Sequence, residues 1–105
     1  MTPHRGEVWW ADIPGDKRRP VLILTRERFI QTLGAVLVAP VTTRVRGIPT
    51  EVALDEADGL PRPCAANFDN VLTLSKSQLQ ERICGLDGER LNQACRAYRF
   101  AADCG

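Results

Sequence analysis

The chain is patterned as short apolar runs separated by turn-forming residues. Residues 7–13 are rich in strand formers and are followed by the turn sequence Pro-Gly-Asp. Residues 20–25 and 35–41 are apolar at consecutive positions, which is typical of central strands buried on both faces. The first half of the chain therefore predicts three strands, with a short helical or irregular link at 26–32 and a polar, basic loop at 42–49.

The second half continues this pattern and ends in a helix. Its predicted elements are a half-buried strand at 50–54, a loop at 55–63, a strand at 64–70 that 71–74 extends or follows, a helical turn at 76–80 and a strand at 81–85. After Asp87, which suits an N-cap, apolar side chains recur at helical spacing: Leu91, Ala94, Cys95, Tyr98 and Ala102. Short strands with one terminal helix predict a mainly β, α+β fold, a small β-barrel closed partly by the helix.

Two adjacent tryptophans in the first predicted strand must point to opposite faces of the sheet. Alternation places Trp10 on one face with Val8 and Asp12, and Trp9 on the other. One ring is expected to fill the core. The other then lies at an interface or beside a ligand, unless both rings are structural.

Length and composition predict one globular domain, residues 1–105. The chain is 44% hydrophobic and 26% charged, which excludes a disordered protein. Its longest apolar runs are strand-sized, far below the ~18–20 residues that a membrane helix needs. The first residues lack the apolar stretch of a secretory signal, so we expect a cytoplasmic protein.

The net charge of +1 conceals a basic first half. Residues 1–50 carry eight Lys and Arg against four acids, a balance of +4, whereas residues 51–105 carry six against nine, a balance of −3. This asymmetry favours a local site for an anionic ligand over general adhesion to nucleic acid. The alternative is an ordinary solvated face of mixed charge.

The apparatus of the common enzyme classes is missing. The sequence has one histidine and four cysteines without a Cys-x-x-Cys pair, which argues against a metal site. It also lacks the glycine-rich phosphate loop that would indicate a nucleotide cofactor. We expect free thiols, with Cys84 and Cys95 buried and Cys104 at the terminus. The chemistry is left to Arg, Lys, Thr, Asn and Asp side chains, with no metal and no other cofactor.

Two loops gather such side chains. Arg19 ends a charged turn just before the second predicted strand, and Thr42 opens the basic loop after the third. If those strands are antiparallel neighbours, both residues lie at one end of the sheet. A guanidinium offers forked donors that match phosphate oxygens, and a threonine hydroxyl adds a neutral donor. The alternative is that these are solvated turn residues.

Several segments in order resemble the MazF/PemK toxins of bacterial toxin–antitoxin pairs. They are RGEVWWADI at 5–13, RPVLILT at 19–25, APVTT at 39–43, SKS at 75–77 and RICGL at 82–86. The resemblance implies an SH3-like barrel and a cytoplasmic, homodimeric endoribonuclease that cuts single-stranded RNA at short sequences without metal. It also implies a cognate antitoxin whose disordered tail covers the RNA channel. The family's functional arginine and threonine match Arg19 and Thr42.

The chain departs from the family pattern in two places. Its first loop is short, so that Asp16 is the nearest acid where many members have an earlier glutamate. Some members have an arginine two residues before an aspartate later in the chain, and this chain has Asn67 before Asp69. These differences leave the general base open between Asp69 and Asp16.

The mechanism that the resemblance implies uses the RNA's own 2′-hydroxyl as nucleophile, which explains a preference for RNA over DNA. We assign Arg19 to transition-state charge stabilisation and proton donation, Thr42 to orienting the phosphate, and either Asp69 or Asp16 to accepting the proton. The predicted RNA-binding residues are Asp16, Lys17, Arg18, Thr43, Arg44 and Asn67. Phe68 and a tryptophan are candidates for base stacking, the alternative for Phe68 being a place in the core.

Two other functions compete with the nuclease. One is a non-enzymatic toxin of the CcdB type, which poisons DNA gyrase. The other is an SH3-like module that binds RNA or peptide without turnover. A gyrase supercoiling assay and an RNA cleavage assay separate the three.

Overall fold

The apolar runs form seven strands in the computed structural model, which describes residues 2–102. The strands are β1 (Glu7–Ala11), β2 (Arg19–Ile23), β3 (Ala35–Thr42), β4 (Glu51–Leu54), β5 (Cys64–Asn67), β6 (Leu72–Ser75) and β7 (Leu79–Gly85). The helices are α1 (Glu27–Ile30) and α2 (Gly88–Ala101), and 3₁₀ turns cover Glu56–Asp58, Phe68–Asn70 and Lys76–Gln78. The predicted mainly β, α+β class is confirmed.

The strands form one antiparallel sheet in the order β4-β5-β3-β2-β1-β7, with β6 also paired to β3. The long strand β3 joins the two parts, because Ala35–Val38 pair with β6 and Val41–Thr42 pair with β5. No pairing among residues 2–102 joins β4 to β7, so the sheet is open. The predicted barrel is correct only in this looser sense.

Strand β2 is buried on both faces, as its uninterrupted apolar sequence predicts. Leu22 faces one core with Phe68 and with Ala94 and Ala97 of α2, whereas Val21 and Ile23 face a second core. Burial of these side chains is the main stabilising contribution, at roughly 25 cal/mol per Å² of apolar surface. Packing on both faces therefore holds residues 21–23 of β2 inside the sheet.

The two tryptophans separate as the alternation predicts. Trp9 is 3% exposed in the second core, and its indole N–H donates to Glu7 Oε1 at 3.0 Å. Trp10 is half-buried on the opposite face and lines a surface groove. One ring is thus structural and the other faces a surface groove.

Helix α2 begins as predicted, since the Asp87 side chain accepts the Arg90 backbone N–H at 2.9 Å. The prediction for Cys95 was wrong. Its side chain is exposed, because Ala94 and Ala97 occupy the buried stripe of the helix, and it contacts the Arg5 guanidinium at 3.6 Å.

Cys64 and Cys84 are buried free thiols, as predicted for Cys84. Burial raises the pKa of Cys64 to about 11 and also raises the pKa of Cys84. Both therefore stay protonated and behave as small apolar side chains. Cys104 lies outside the described residues.

Another difference concerns residues 64–70, which were predicted as one strand. The strand stops at Asn67, whose side-chain oxygen accepts the Asp69 N–H at 2.8 Å and starts a 3₁₀ turn. A side chain that caps its own backbone in this way competes with the strand ladder. Asn67 is therefore the last residue of the strand, whereas Asp69 and Asn70 belong to the turn.

Candidate anion-binding site

Arg19 and Thr42 meet at one end of the sheet. Strands β2 and β3 are antiparallel with Val21 opposite Pro40, and two further residues of that register bring Arg19 opposite Thr42. Both side chains line the same surface depressions. The two strands are therefore antiparallel neighbours, and Arg19 and Thr42 lie at the same end of the sheet, as the sequence analysis required.

Two grooves adjoin at this pair. The Trp10 groove, about 400 Å³, has an apolar wall that includes Trp10, Pro20 and Pro61 and a rim of Lys17, Arg18 and Arg62. The Asn67 groove, about 310 Å³, is lined by Pro40, Arg44, Arg46, Asn67 and Asn70. Arg19 and Thr42 line both grooves, so a polymer crossing from one groove to the other passes over them.

The Arg19 guanidinium is fixed but incompletely paired. Its Nη2 lies 3.3 Å from Asp16 Oδ1 and 3.1 Å from Oδ2, and its side chain is 24% exposed. Its Nε is buried and has no hydrogen-bond partner in the described part of the chain. A buried charged donor without a partner is costly, and buried polar groups are normally satisfied. The arrangement suits an anion that completes the coordination of Arg19.

Asp16 holds Arg19 as a charged partner. The Lys17 backbone N–H donates to Asp16 Oδ1 at 2.7 Å. This hydrogen bond, together with the Arg19 guanidinium, lowers the pKa of Asp16. A carboxylate with a lowered pKa is a weaker base. Asp16 is therefore better suited to orienting the Arg19 guanidinium than to accepting a proton from the substrate.

Thr42 retains a free donor. Its Oγ1 accepts the Arg44 backbone N–H at 3.1 Å. That hydrogen bond uses a lone pair and leaves the hydroxyl proton for another acceptor. Thr42 is half-buried at the end of β3, so this donor is both fixed and reachable.

The basic loop after Thr42 is anchored by one buried carboxylate. Glu51 Oε1 accepts the backbone N–H groups of Arg46 at 2.9 Å and Gly47 at 3.1 Å, and its Oε2 lies 3.4 Å from Arg46 Nε. The Glu51 side chain is only 2% exposed. These contacts hold the loop against the sheet and keep Arg44 and Arg46 beside the Asn67 groove.

Asn67 and Asp69, two of the predicted site residues, lie beside the second 3₁₀ turn but in different surroundings. Asn67 is 6% exposed and lines the Asn67 groove, with its amide oxygen engaged by the Asp69 N–H. The Asp69 carboxylate instead accepts the Thr50 hydroxyl at 2.7 Å and lines neither groove. A role for Asp69 as proton acceptor therefore requires that carboxylate to turn away from Thr50.

The remaining predicted residues divide between the grooves. Lys17, Arg18 and Thr43 line the Trp10 groove, and Arg44 lines the other. Base stacking by Phe68 was a wrong prediction, because Phe68 is 2% exposed and packs on Tyr98 with ring centroids 6.0 Å apart. Its alternative, a place in the core, is confirmed.

Pro61, Arg62 and Asn70 are among the lining residues that the sequence analysis missed. All three come from connections between strands. A cation between two prolines was the available signal for Arg62. Nothing in the local sequence indicates that the loop folds toward β1 and β2.

Two structural findings concern other kinds of site. Among residues 2–102, no group of three or more His, Cys, Asp or Glu side chains is placed to hold a metal ion. Within the same residues, no helix has the length and apolar character needed to cross a membrane.

Comparison with known proteins identifies the same segments as a family domain. The family model described as "PemK-like, MazF-like toxin of type II toxin-antitoxin system" matches residues 4–100. A curated relative from Mycobacterium tuberculosis, "Probable endoribonuclease MazF5", is 42% identical over 103 residues, which cover 97% of this chain and 94% of that protein.

Solved structures give the same result. "Mycobacterium tuberculosis toxin MazF-mt6" is 39% identical with a TM-score of 0.86, covering 92% of this chain and 96% of that one. A mycobacterial "Endoribonuclease in complex with its cognate antitoxin" is 28% identical with a TM-score of 0.88, covering 98% and 97%. Both agree with this chain over nearly its whole length.

Proposed function

Because the chain belongs to the PemK-like, MazF-like toxins of type II toxin–antitoxin systems, we propose that it is an endoribonuclease that cleaves single-stranded RNA. The observation that carries the proposal is the Arg19–Thr42 pair, where a buried, unpaired guanidinium nitrogen and a free hydroxyl donor adjoin two grooves. That site offers charged and neutral donors to one phosphate. Relatives named as endoribonucleases supply the reaction class.

In the proposed reaction the RNA's 2′-oxygen attacks the adjacent phosphorus. The 2′-O–P bond forms, the P–O5′ bond breaks, and the products are a 2′,3′-cyclic phosphate and a 5′-hydroxyl. The 2′-hydroxyl gives its proton to a general base, and the leaving 5′-oxygen receives one from the Arg19 guanidinium. Arg19 and Thr42 donate to the non-bridging oxygens as negative charge develops there. Removing such a donor raises the activation free energy by roughly 3–4 kcal/mol.

Asp16 is proposed as the residue that aims Arg19. Its two oxygens hold Nη2, which leaves Nη1 of the guanidinium for the phosphate. Asp69 stays the proposed proton acceptor, on the condition that its carboxylate leaves Thr50. A general base of this kind contributes about 10²–10⁴-fold in rate.

The RNA strand is proposed to run along both grooves. Lys17, Arg18 and Arg44 bind the strand electrostatically, Thr43 binds it through its hydroxyl, and Asn67 reads a base edge through its amide. This assignment is supported by the placement of all five side chains in the linings of the grooves.

We extend the proposal to the biological setting of the toxin. A cognate antitoxin silences the protein by covering these grooves, and the similar mycobacterial endoribonuclease is known in complex with its own antitoxin. The chain acts as a homodimer in the cytoplasm, with residues 1–105 as one functional domain, where it inhibits translation and growth by cutting RNA. Size-exclusion chromatography with light scattering measures the dimer.

The test compares three variants on a mixed-sequence RNA. Arg19→Ala and Thr42→Val are each expected to slow single-turnover cleavage about 10²–10³-fold. Arg26→Ala is the matched control, because Arg26 lines a different groove and is expected to leave the rate unchanged. Full activity in Arg19→Ala refutes the site assignment. Absence of cleavage by the wild-type protein, with RNA retained or gyrase inhibited instead, refutes the nuclease itself.

A further inference from the structure

Trp10 presents an aromatic surface inside the proposed RNA path. It is half-buried on β1, opposite Pro20 in the register with β2 and opposite Glu81 in the register with β7. The ring lines the same groove as Arg19. It is therefore an aromatic side chain beside the proposed phosphate site that belongs to neither core, whereas Trp9 is part of the second core.

Arg18 covers this ring. Its guanidinium carbon lies 4.4 Å from the Trp10 ring centroid. The guanidinium is also held by β7, because Nε donates to Gln80 Oε1 at 2.6 Å and Nη2 lies 3.8 Å from Glu81 Oε2. Contacts from β1 and β7 thus fix a guanidinium over an indole ring, while 48% of the Arg18 side chain remains exposed.

We propose that Arg18, held over Trp10, is the stacking platform for one nucleobase of the RNA next to the scissile phosphate. Guanidinium planes and aromatic rings are the surfaces on which proteins stack unpaired bases. The planar guanidinium of arginine stacks in a way that the compact ammonium of lysine does not. This inference rests on the proposed function and gives Arg18 a role beyond attraction of the phosphate backbone.

The stack over Trp10 is built before any ligand arrives. A base that took the place of Arg18 on the ring would first break the hydrogen bond to Gln80 and the contact with the indole. A base that adds to the outer face of Arg18 breaks neither. The preformed arrangement therefore favours addition over displacement.

The test measures binding of two kinds of non-cleavable probe by fluorescence anisotropy. The first is an RNA heptamer spanning the site that the wild-type protein cleaves, with a 2′-deoxy nucleotide at the cut. The second set lacks one base beside the cut, on one side or the other, while the sugar–phosphate backbone is kept. If the wild type cleaves nothing, the proposed function fails, and the same comparison is made with a mixed-sequence RNA 20-mer and its abasic counterparts.

Arg18→Lys keeps the positive charge but removes the planar guanidinium, and Trp10→Leu removes the indole ring on which the guanidinium rests. Each is expected to weaken binding of the complete heptamer about 10-fold, in the range measured for stacking of one base. One abasic probe is expected to bind both variants and the wild type within about twofold. Arg26→Lys is the matched control, since Arg26 lies 4.6 Å from the Phe29 ring centroid but lines neither RNA groove; it is expected to change neither probe.

Two results overturn the inference. If Arg18→Lys weakens the complete and abasic probes equally, or changes neither, Arg18 stacks no base. If it tightens binding of the complete heptamer, Arg18 is a cover that the base must displace. The folding of Trp10→Leu is checked by its urea midpoint, and Arg18→Lys on the exposed loop provides the same test without altering the sheet.

Discussion

Glu51 anchors the loop that carries Arg44 and Arg46, and its removal is expected to loosen that loop measurably. In Glu51→Ala two backbone hydrogen bonds to a carboxylate disappear, from Arg46 and Gly47. Glu51→Gln is the matched control. Its amide oxygen replaces Oε1, the atom that accepts both N–H groups, while the charge is lost.

The magnitude follows from the two hydrogen bonds. A hydrogen bond to a charged group contributes about 1.5–3 kcal/mol net, so two of them amount to roughly 3–6 kcal/mol. Arg46 and Gly47 are exposed, and water satisfies their freed N–H groups. We therefore expect the lower end, about 3 kcal/mol lost in Glu51→Ala and about 1 kcal/mol in Glu51→Gln.

Urea denaturation measures the free energy of unfolding, and native-state hydrogen exchange of the Arg46 and Gly47 amides reports the loop itself. In Glu51→Ala these amides are expected to lose protection, while those of the β1–β2 pair keep theirs relative to the global stability. The reasoning is refuted if Glu51→Ala costs no more than Glu51→Gln and both amides exchange as in the wild type.

Two further predictions concern the N-terminal segment and a crowded glycine. The hydrogen bond from His4 to Glu27, 2.6 Å, raises the pKa of His4; the pair's contribution to stability is therefore complete below the unfolded pKa and is lost as pH rises through the folded one. NMR titration of this sole histidine should show its pKa falling toward 6.5 in Glu27→Gln, and an unchanged pKa contradicts the pairing. Gly59→Ala should cost about 2–4 kcal/mol in urea unfolding, because φ is +104° and the new Cβ would lie 2.6 Å from Cys84 Cβ. Gly15→Ala, at φ +76° with nothing within 4 Å, should cost only about 1 kcal/mol, and equal costs for the two refute the steric argument.

The sequence predicts the strands well because their apolar patterning is local. Strand β2 is apolar on both faces and lies inside the sheet, and the alternation through Trp9 and Trp10 assigns each ring to its face. The end of β5 at Asn67 was missed because it depends on a hydrogen bond that the Asp69 N–H donates to the Asn67 side chain. The place of Cys95 was missed because several faces of α2 carry small or apolar residues, and only packing against the sheet selects Ala94 and Ala97.

The site was predictable where it depends on strand ends. Arg19 and Thr42 are brought together by the β2–β3 register, which follows once the two strands are taken as antiparallel neighbours. Pairing of Asp69 with Thr50, and of Arg18 with Gln80, joins residues 19 and 62 positions apart. Such contacts depend on the tertiary fold, and the local sequence carries no signal for them.

The ends of a cut RNA test the proposed chemistry at Arg19 and Thr42 most directly. The wild-type protein is incubated in excess EDTA with an RNA and with the same RNA carrying one 2′-deoxy nucleotide at the cut, and the products are identified by mass spectrometry. Attack by the 2′-oxygen predicts a 2′,3′-cyclic phosphate and a 5′-hydroxyl from the RNA, and no cleavage at the deoxy position. A 3′-hydroxyl with a 5′-phosphate, or equal cleavage of the deoxy substrate, contradicts it.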